Sequence, residues 1–248
     1  MYWEYAVLGL VQGLTEFLPV SSSGHLILLQ HLGVGEESLA FDLLLHVATL
    51  LAVCIVYRKK LWELIRHPLS HETLMLLLAS VPTAVIAFAI RLLLDDYGKL
   101  FLPFGFMVTS ALLITGQLFK KKADSLVINP KKAIIAGVVQ GIAAFPGISR
   151  SGSTISSLLI MKTHPEKAGD FSFLLSIPII LGSALVELIA FDGYRSINYL
   201  AAFIGMALAF FGGILAIKVF LRLLKNGSLI PFAVYTFALS IVSFVILY

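Results

Sequence analysis

Residues 9–24 read Gly9-Leu-Val-Gln-Gly-Leu-Thr-Glu-Phe-Leu-Pro-Val-Ser-Ser-Ser-Gly24, and residues 137–152 repeat the pattern as Gly137-Val-Val-Gln-Gly-Ile-Ala-Ala-Phe-Pro-Gly-Ile-Ser-Arg-Ser-Gly152. The two copies share glycine, glutamine, phenylalanine and serine at one constant offset. Each copy is apolar at first and then rich in Pro, Gly and Ser. A duplicated passage of this kind predicts two structural repeats that each contribute one polar wall to a shared site.

The composition is typical of a membrane protein that crosses the bilayer several times. Of the 248 residues, 59% are hydrophobic and only 13% are charged, which is too few charges to cover a soluble globule of this size. We expect no removable signal peptide, because no basic region precedes a small-residue cleavage site. The single cysteine, Cys54, excludes an intrachain disulfide. The net charge of +4 comes from short basic loops, so we expect no nucleic-acid partner.

Six apolar runs approach the roughly 20 residues that a spanning helix needs. They lie at about 39–56, 73–94, 101–119, 168–191, 197–217 and 229–247. Two further stretches, at about 3–31 and 133–161, are interrupted midway by Pro, Gly and serines, so neither forms one unbroken helix at membrane depth. We interpret each as a re-entrant helix hairpin, with two short crossings as the alternative. The predicted fold class is an all-α integral membrane protein with about six spanning helices and two re-entrant hairpins.

Basic residues indicate the orientation. Fourteen of the 18 Lys and Arg fall into four groups, at 58–66, 120–132, 162–167 and 218–225. The other connections carry Glu36, Glu37, Asp95, Asp96 and Asp192, with only Arg91, Lys99 and Arg195 as basic residues. By the positive-inside rule the four basic groups are cytoplasmic. Six spans and two same-side hairpins place all four groups on that side.

The same topology predicts an inverted repeat within a single membrane domain, 1–248. Repeat one covers 1–125 and repeat two covers 130–248, and each contains one hairpin followed by three crossings. Because three is odd, the second repeat is inverted relative to the first. Hairpin one is then expected to enter from outside and hairpin two from the cytoplasm, so that their serine-rich turns meet near the midplane.

Hairpin one carries an acidic pair. Gln12 and Glu16 are four residues apart and project from the same face of a helix. Ionisable groups inside membrane segments are costly and usually functional, and two oxygen-bearing side chains suit a hard divalent cation. A helix-packing role is the alternative for each residue.

A serine cluster follows Pro19. Ser21, Ser22 and Ser23 lie where a new helix begins, and the free N–H groups of a helix start bind phosphate. Ser22 and His25 are three residues apart, which predicts an imidazole beside the hydroxyl. A serine next to a base is the minimal arrangement for nucleophilic catalysis. The alternative is that the serines only cap the helix.

Hairpin two carries a positively charged side chain. Arg150 is the only Lys or Arg that this topology leaves inside the membrane layer, and its planar fork matches two phosphate oxygens. Thr154 follows four residues later on the same face, and Ser149, Ser151 and Ser153 are predicted to add hydroxyl donors. A structural Arg150 paired with Glu16 is the alternative. Together these groups favour a phosphate or diphosphate ligand at membrane depth.

Two motifs, Gln12-Gly-Leu-Thr-Glu16-Phe-Leu-Pro-Val-Ser-Ser-Ser-Gly-His25 and Pro146-Gly-Ile-Ser-Arg150-Ser-Gly-Ser-Thr154, resemble the signatures of the bacitracin-resistance type undecaprenyl-diphosphate phosphatases. The resemblance covers essentially the whole chain, including Phe171-Ser-Phe-Leu-Leu-Ser-Ile-Pro178. It implies hydrolysis of undecaprenyl diphosphate to undecaprenyl phosphate and inorganic phosphate, which recycles the lipid carrier for cell-wall synthesis and confers bacitracin resistance. It also implies a divalent cation such as Mg²⁺ or Ca²⁺, a possible homodimer, and an inner-membrane location with the site facing the extracytoplasmic side.

The resemblance also implies roles for single residues. Gln12 and Glu16 match the acidic motif, Ser22 the favoured nucleophile, His25 the motif histidine and Arg150 the phosphate-binding arginine. Gln12 stands where many members have glutamate, so Glu16 is the only carboxylate of this pair.

Two mechanisms and one rival function stay open at this stage. Either Ser22 attacks with His25 as proton carrier, or metal-activated water attacks directly. The rival is an inverted-repeat transporter or flippase for a phosphorylated lipid. Asp42, His46 and Glu187 are expected to be interfacial or packed.

Overall fold

A computed structural model describes residues 2–35, 38–94, 98–190 and 198–248. Over these ranges the chain forms α-helices joined by turns and by one 3₁₀ segment, Gly98–Phe101, and contains no β-strand. The first half contains α1 (Tyr2–Phe17), α2 (Ser22–His31), α3 (Leu39–Val56), α4 (Arg58–Arg66), α5 (His71–Leu94) and α6 (Leu102–Lys120). The second half contains α7 (Pro130–Ile142), α8 (Arg150–Ile160), α9 (Pro165–Ala190), α10 (Tyr199–Asn226) and α11 (Ile230–Leu247).

The helices confirm the all-α membrane class. Within the described ranges, five helices are long and apolar enough to cross a bilayer, namely α5, α6, α9, α10 and α11. Helices α3 and α4 form a sixth candidate that is bent by 77°. The inverted orientation and the two repeat boundaries stay predictions, and Glu36, Glu37, Asp95, Asp96, Asp192 and Arg195, which entered the topology argument, lie outside the described residues.

Helix α4 corrects the prediction of a basic loop after the first span. Residues Arg58–Arg66 form a nine-residue helix with a strong separation of apolar and basic sides. Leu61 and Leu64 pack against the main core, while Trp62 is exposed beneath the guanidinium of Arg66. A short helix of this kind is typical of a segment that lies in the membrane interface.

Helix α10 is longer than its apolar run. The hydropathy pattern predicts a span that ends near residue 217, but the helix continues to Asn226. Phe220 and Leu224 are fully buried four residues apart, so one apolar face continues between the basic side chains of Lys218, Arg222 and Lys225. The basic group therefore lies on a helix rather than in a loop.

Both interrupted stretches form two helices joined by a turn, and their re-entrant course through the membrane stays a prediction. Helices α1 and α2 are separated by residues 18–21, and α7 and α8 by residues 143–149. Each second helix starts after a capping serine: the hydroxyl of Ser21 accepts from the N–H of Gly24 at 3.4 Å, and that of Ser149 from the N–H of Gly152 at 3.1 Å. The duplicated serines and glycines thus begin both helices in the same way.

The duplicated glycines allow helices of the two halves to pack closely against each other. In α1, Gly13 packs against the backbone of Ala209 on α10, so closely that a Cβ at this position would lie 2.4 Å from the carbonyl oxygen. In α7, the matching Gly141 packs against Ile86 on α5. Each hairpin therefore packs on a helix of the other half. Small residues permit such close contact between membrane helices, where packing is the main source of stability.

Candidate active site

Glu16 lies at the centre of the polar site, near the end of α1. Its side chain is only 2% exposed. The Gln12 amide donates to one of its oxygens at 3.0 Å, and the Ser22 hydroxyl donates to the same oxygen at 2.5 Å. The other oxygen accepts from the guanidinium of Arg150. The helical spacing predicted the contact with Gln12, and the hairpin turn brings Ser22 back to the carboxylate.

Arg150 reaches this carboxylate from hairpin two. It is the first residue of α8, and its side chain is 19% exposed. Besides the ion pair with Glu16, it donates to the backbone carbonyl of Ser176 on α9 at 3.4 Å. A buried ion pair of this kind is stable only when further hydrogen bonds satisfy both groups, and the described neighbours of Glu16 and Arg150 supply them.

The two serine-rich turns contact each other, as predicted. The Ser151 hydroxyl donates to the backbone carbonyl of Leu18 at 3.2 Å, and a Cβ on Gly152 would lie 3.1 Å from the side chain of Pro19. The ion pair between Glu16 and Arg150 therefore lies in a direct contact between hairpins one and two. The depth of this contact in a membrane stays a prediction.

Thr109 of α6 holds the turn of hairpin two, a role that the motifs in the sequence did not predict. Its hydroxyl donates to the carbonyl of Gly147 at 2.9 Å and accepts from the N–H of Ser149 at 2.8 Å. Gly147 has a φ of +83° and packs against Gly105, a conformation and a proximity that favour glycine. A threonine inside an apolar span was the available signal, but threonines also bond within their own helices.

His25 does not pair with Ser22, so the predicted serine and histidine pair is wrong in its geometry. One ring nitrogen, Nδ1, bonds the carbonyl of Ser21 at 2.7 Å, and the other, Nε2, bonds the Tyr235 hydroxyl at 2.7 Å. Tyr235 of α11 also stacks on the imidazole, with ring centroids 5.6 Å apart. Because a carbonyl only accepts, Nδ1 carries a proton, and in the neutral imidazole Nε2 then accepts from Tyr235. The base that contacts Ser22 is Glu16.

The remaining hydroxyls predicted to bind phosphate differ in their surroundings. Ser21 and Ser149 cap their helices, and their hydroxyls each lie 3.4 Å from those of Ser23 and Ser151. The Thr154 hydroxyl is buried and donates to the backbone carbonyl of Arg150 at 2.8 Å. A phosphate-binding role for Thr154 and for these serines stays a prediction.

The donors around Glu16 fit a hard cation. The described residues include no cluster of three or more His, Cys, Asp or Glu side chains that would form a complete protein site. However, the amide oxygen of Gln12 is buried beside Glu16 and accepts no hydrogen bond from any described residue. Mg²⁺ takes oxygen ligands and is usually bound by one or two carboxylates together with waters and substrate phosphates.

Asp42 and His46 lie on α3, away from the contacts of Glu16. Gln30 donates to Asp42 at 3.4 Å, and one nitrogen of His46 bonds the backbone carbonyl of Asp42 at 2.8 Å. These contacts fit the expected packed or interfacial role. The side chain of Glu187 lies outside the described residues.

Comparison with known proteins identifies the relatives of this chain. The family described as bacitracin resistance protein BacA matches residues 5–242, a range that contains both serine-rich turns. The chain belongs to the BacA family. Curated relatives include the undecaprenyl-diphosphatase of Treponema denticola, 39% identical over 96% of this chain and 95% of its own length. The undecaprenyl-diphosphatase of Carboxydothermus hydrogenoformans is also 39% identical, over 96% of this chain and 95% of its own length. Undecaprenyl-diphosphatase 3 of Bacillus cereus strain ATCC 10987 is 40% identical over 97% of this chain and 96% of its own length.

Membership of the BacA family applies to the site as well as to the helices. The matched range includes Gln12, Glu16 and Ser22 of hairpin one and Arg150 of hairpin two. The family match therefore covers both walls of the polar contact that the structure brings together.

Proposed function

We propose that this BacA-family protein hydrolyses undecaprenyl diphosphate to undecaprenyl phosphate and inorganic phosphate, and so recycles the lipid carrier of cell-wall synthesis. The observation that carries the proposal is the buried contact between Glu16 and Arg150, which joins the two duplicated turns. A carboxylate that can accept a proton, a hydroxyl that can attack and a guanidinium that can bind phosphate oxygens are groups that suit phosphoryl transfer. Curated relatives named undecaprenyl-diphosphatase support the choice of substrate.

Arg150 binds the diphosphate in this proposal. In the structure its guanidinium pairs with a single carboxylate, and a substrate phosphate competes with Glu16 for the same N–H groups. The guanidinium can donate to two phosphate oxygens at once. When the phosphate takes over these donors, the carboxylate of Glu16 is released from the ion pair and keeps its contact with the Ser22 hydroxyl.

Glu16 then accepts the proton of Ser22. The hydroxyl already donates to the carboxylate at 2.5 Å, which satisfies the distance required of a general base. Attack forms a bond from Ser22 Oγ to the terminal phosphorus and breaks the bond to the bridging oxygen, which leaves with undecaprenyl phosphate. Water then hydrolyses the phosphoserine to release inorganic phosphate and regenerate the hydroxyl.

His25 positions this serine rather than removing its proton. Its bond to the carbonyl of Ser21 and its bond to Tyr235 attach the start of α2 to α11. The proton-carrier role that the motif implied therefore passes to Glu16.

In this proposal, the carboxylate of Glu16 and the buried amide oxygen of Gln12 would hold a divalent cation, Mg²⁺ or Ca²⁺. The cation would neutralise negative charge on the diphosphate and on the leaving phosphate. Gln12 also donates to Glu16 at 3.0 Å, and this bond keeps the carboxylate on the face of α1 that meets Arg150.

Phosphate release by purified protein tests the function. We expect release from undecaprenyl diphosphate in detergent, and a radiolabelled phosphoserine in a rapid quench that is absent from Ser22→Ala. Activity without any label at Ser22 would favour direct attack by water. Movement of lipid between the leaflets of proteoliposomes without phosphate release would favour the flippase instead.

The proposed location is the inner membrane, with the site facing the extracytoplasmic side. This places the exposed Leu32, just after α2, outside and the exposed Leu69, just before α5, inside. In intact cells, a membrane-impermeant thiol reagent should label Leu32→Cys and spare Leu69→Cys, both in a Cys54→Ala background. The reverse pattern would invert the proposed topology. A homodimer is also proposed, and mass measurement in detergent tests it.

A further inference from the structure

A groove runs along the outside of the site, between α5, α7 and α9. Its volume is about 520 Å³, within the roughly 300–1,000 Å³ typical of small-molecule sites. Its lining is mostly apolar and includes Val85 and Phe88 of α5, Gln140 of α7, and Leu175, Pro178 and Gly182 of α9. Val85 and Phe88 are 64% and 57% exposed on the apolar surface of the protein, so the groove is accessible from the lipid.

The groove begins next to the phosphate-binding arginine. Pro178 lies inside α9 and lacks the N–H that would bond the carbonyl of Leu174. In the same turn, the carbonyls of Leu175 and Ser176 accept side-chain donors. The carbonyl of Leu175 accepts from Gln140 at 3.2 Å, and that of Ser176 accepts from Arg150 at 3.4 Å. Adjacent residues of α9 therefore contact the polar site and line the groove. From Leu175 to Ser183 the lining follows α9 for about 12 Å.

We infer that this groove binds the first isoprene units of the prenyl chain while the diphosphate lies at Arg150. The inference rests on the proposed function, because it assigns a place to the apolar part of the same substrate. The substrate combines a charged end with a long hydrocarbon, and the protein places a buried guanidinium beside an apolar groove open to the bilayer. The volume admits only part of a long chain, and the remainder stays in the lipid.

Gly182 allows the groove to be filled without disturbing the fold. A Cβ at this position would meet no heavy atom within 4 Å, in contrast to the glycines that contact other helices. Gly182→Leu therefore places a side chain into the space of the proposed occupant. Ala111→Leu is the matched control, because Ala111 is exposed on α6 and lines neither the groove nor the polar site.

Kinetics with long and short substrates test the inference. We expect Gly182→Leu to raise the KM for undecaprenyl diphosphate by about tenfold or more, with little change in kcat. The kcat/KM for a five-carbon prenyl diphosphate, whose chain is too short to fill the groove, should equal that of the parent. Ala111→Leu should match the parent on both substrates, and thermal unfolding in detergent should show that both variants fold.

The outcomes separate this inference from the proposed function. If the parent releases no phosphate from undecaprenyl diphosphate, the proposed function fails. If the parent is active and Gly182→Leu keeps the parental KM, the groove does not hold the substrate chain, and a bilayer phospholipid with its head group near Arg91 becomes the better occupant. An equal loss on both substrates would also overturn the inference, because it would show damage to the polar site.

A photoreactive prenyl diphosphate gives a readout that does not depend on turnover. With a diazirine in the first isoprene units, cross-links to the parent should fall on α5 and α9 peptides that line the groove. Gly182→Leu should reduce them and Ala111→Leu should not. Cross-links confined to other helices would overturn the inference.

Discussion

Ser22 and Arg150 stand at matching positions of the two hairpins, each as the first residue of its second helix. Both contact Glu16, yet one is a neutral hydroxyl and the other a permanent cation. In the first helices the charged residue lies in hairpin one instead, where Glu16 corresponds to the neutral Ala144 of hairpin two. The capping serines and the interface glycines are the same in both. The duplicated pattern thus builds two similar scaffolds, and the substitutions between them distribute one acid and one cation across a single contact.

The largest effect is expected from breaking the charge difference between the hairpins. Arg150→Ala and Glu16→Ala should each lower kcat by at least about 10²–10³, because a preorganised charge at the transferring group is lost. Each should also lower the free energy of unfolding by about 3–5 kcal/mol, since the remaining partner stays buried and unpaired. Phosphate release and denaturation in mixed micelles measure the two effects.

Two further variants sharpen this test. Lys225→Ala removes an exposed ion pair with Glu166 and should change neither quantity appreciably, because solvent screens such pairs. The double variant Glu16→Gln with Arg150→Gln should recover stability relative to either single variant without recovering activity. Activity of Arg150→Ala equal to the parent would contradict the assignment of the phosphate site.

Substitutions at the duplicated glycines compare how tightly the two hairpins pack. Gly13→Ala should destabilise by up to about 3 kcal/mol and Gly141→Ala by about 1–2 kcal/mol. A new Cβ on Gly13 would lie 2.4 Å from the carbonyl oxygen of Ala209, whereas on Gly141 it would lie 2.7 Å from the Cβ of Ile86, so the steric overlap is smaller at Gly141. Gly182→Ala is the control and should not destabilise. Equal losses from Gly13→Ala and Gly141→Ala would argue that both contacts relax to the same extent.

Much of this architecture follows from hydropathy and spacing. The spans, both hairpins, and the contact between Gln12 and Glu16 were predictable because membrane helices need long apolar runs and because residues four apart share a helix face. The meeting of the two turns followed from the duplicated pattern. These features depend on local sequence or on its repetition.

The features that were missed depend on contacts between distant segments. Spacing within α2 suggested that His25 serves Ser22, but Tyr235 lies 210 residues further along the chain and takes the second nitrogen. Thr109 likewise bonds a turn that lies 38 residues away. Helix α4 was hidden because its basic residues outweigh Leu61 and Leu64 in a hydropathy window, although these two leucines pack on the core.

Substitutions at the duplicated glutamines should give a smaller difference in stability between the two hairpins. Gln12 donates to a carboxylate and Gln140 to the carbonyl of Leu175. Bonds to charged groups contribute about 1.5–3 kcal/mol and neutral ones about 0.5–1.5 kcal/mol, so Gln12→Leu should destabilise more than Gln140→Leu in the same denaturation assay. Gln12→Leu should also raise the cation concentration that gives half-maximal activity. An unchanged cation dependence would remove Gln12 from the proposed cation site.

The smallest effect is expected at the capping serines, where the two hairpins differ only in backbone conformation. Ser21 has a φ of +68°, in the left-handed region, whereas Ser149 has a φ of −74°. Left-handed backbone costs a residue other than glycine about 1 kcal/mol or more, and exchanging a capping serine for glycine costs a few tenths of a kcal/mol. Ser21→Gly should therefore leave stability unchanged or raise it slightly, while Ser149→Gly should lower it slightly. Thermal unfolding of the two variants in one detergent gives the sign of each change in stability. If Ser21→Gly lost as much stability as Ser149→Gly, the hydrogen bond of the Ser21 hydroxyl would contribute more than the backbone strain costs.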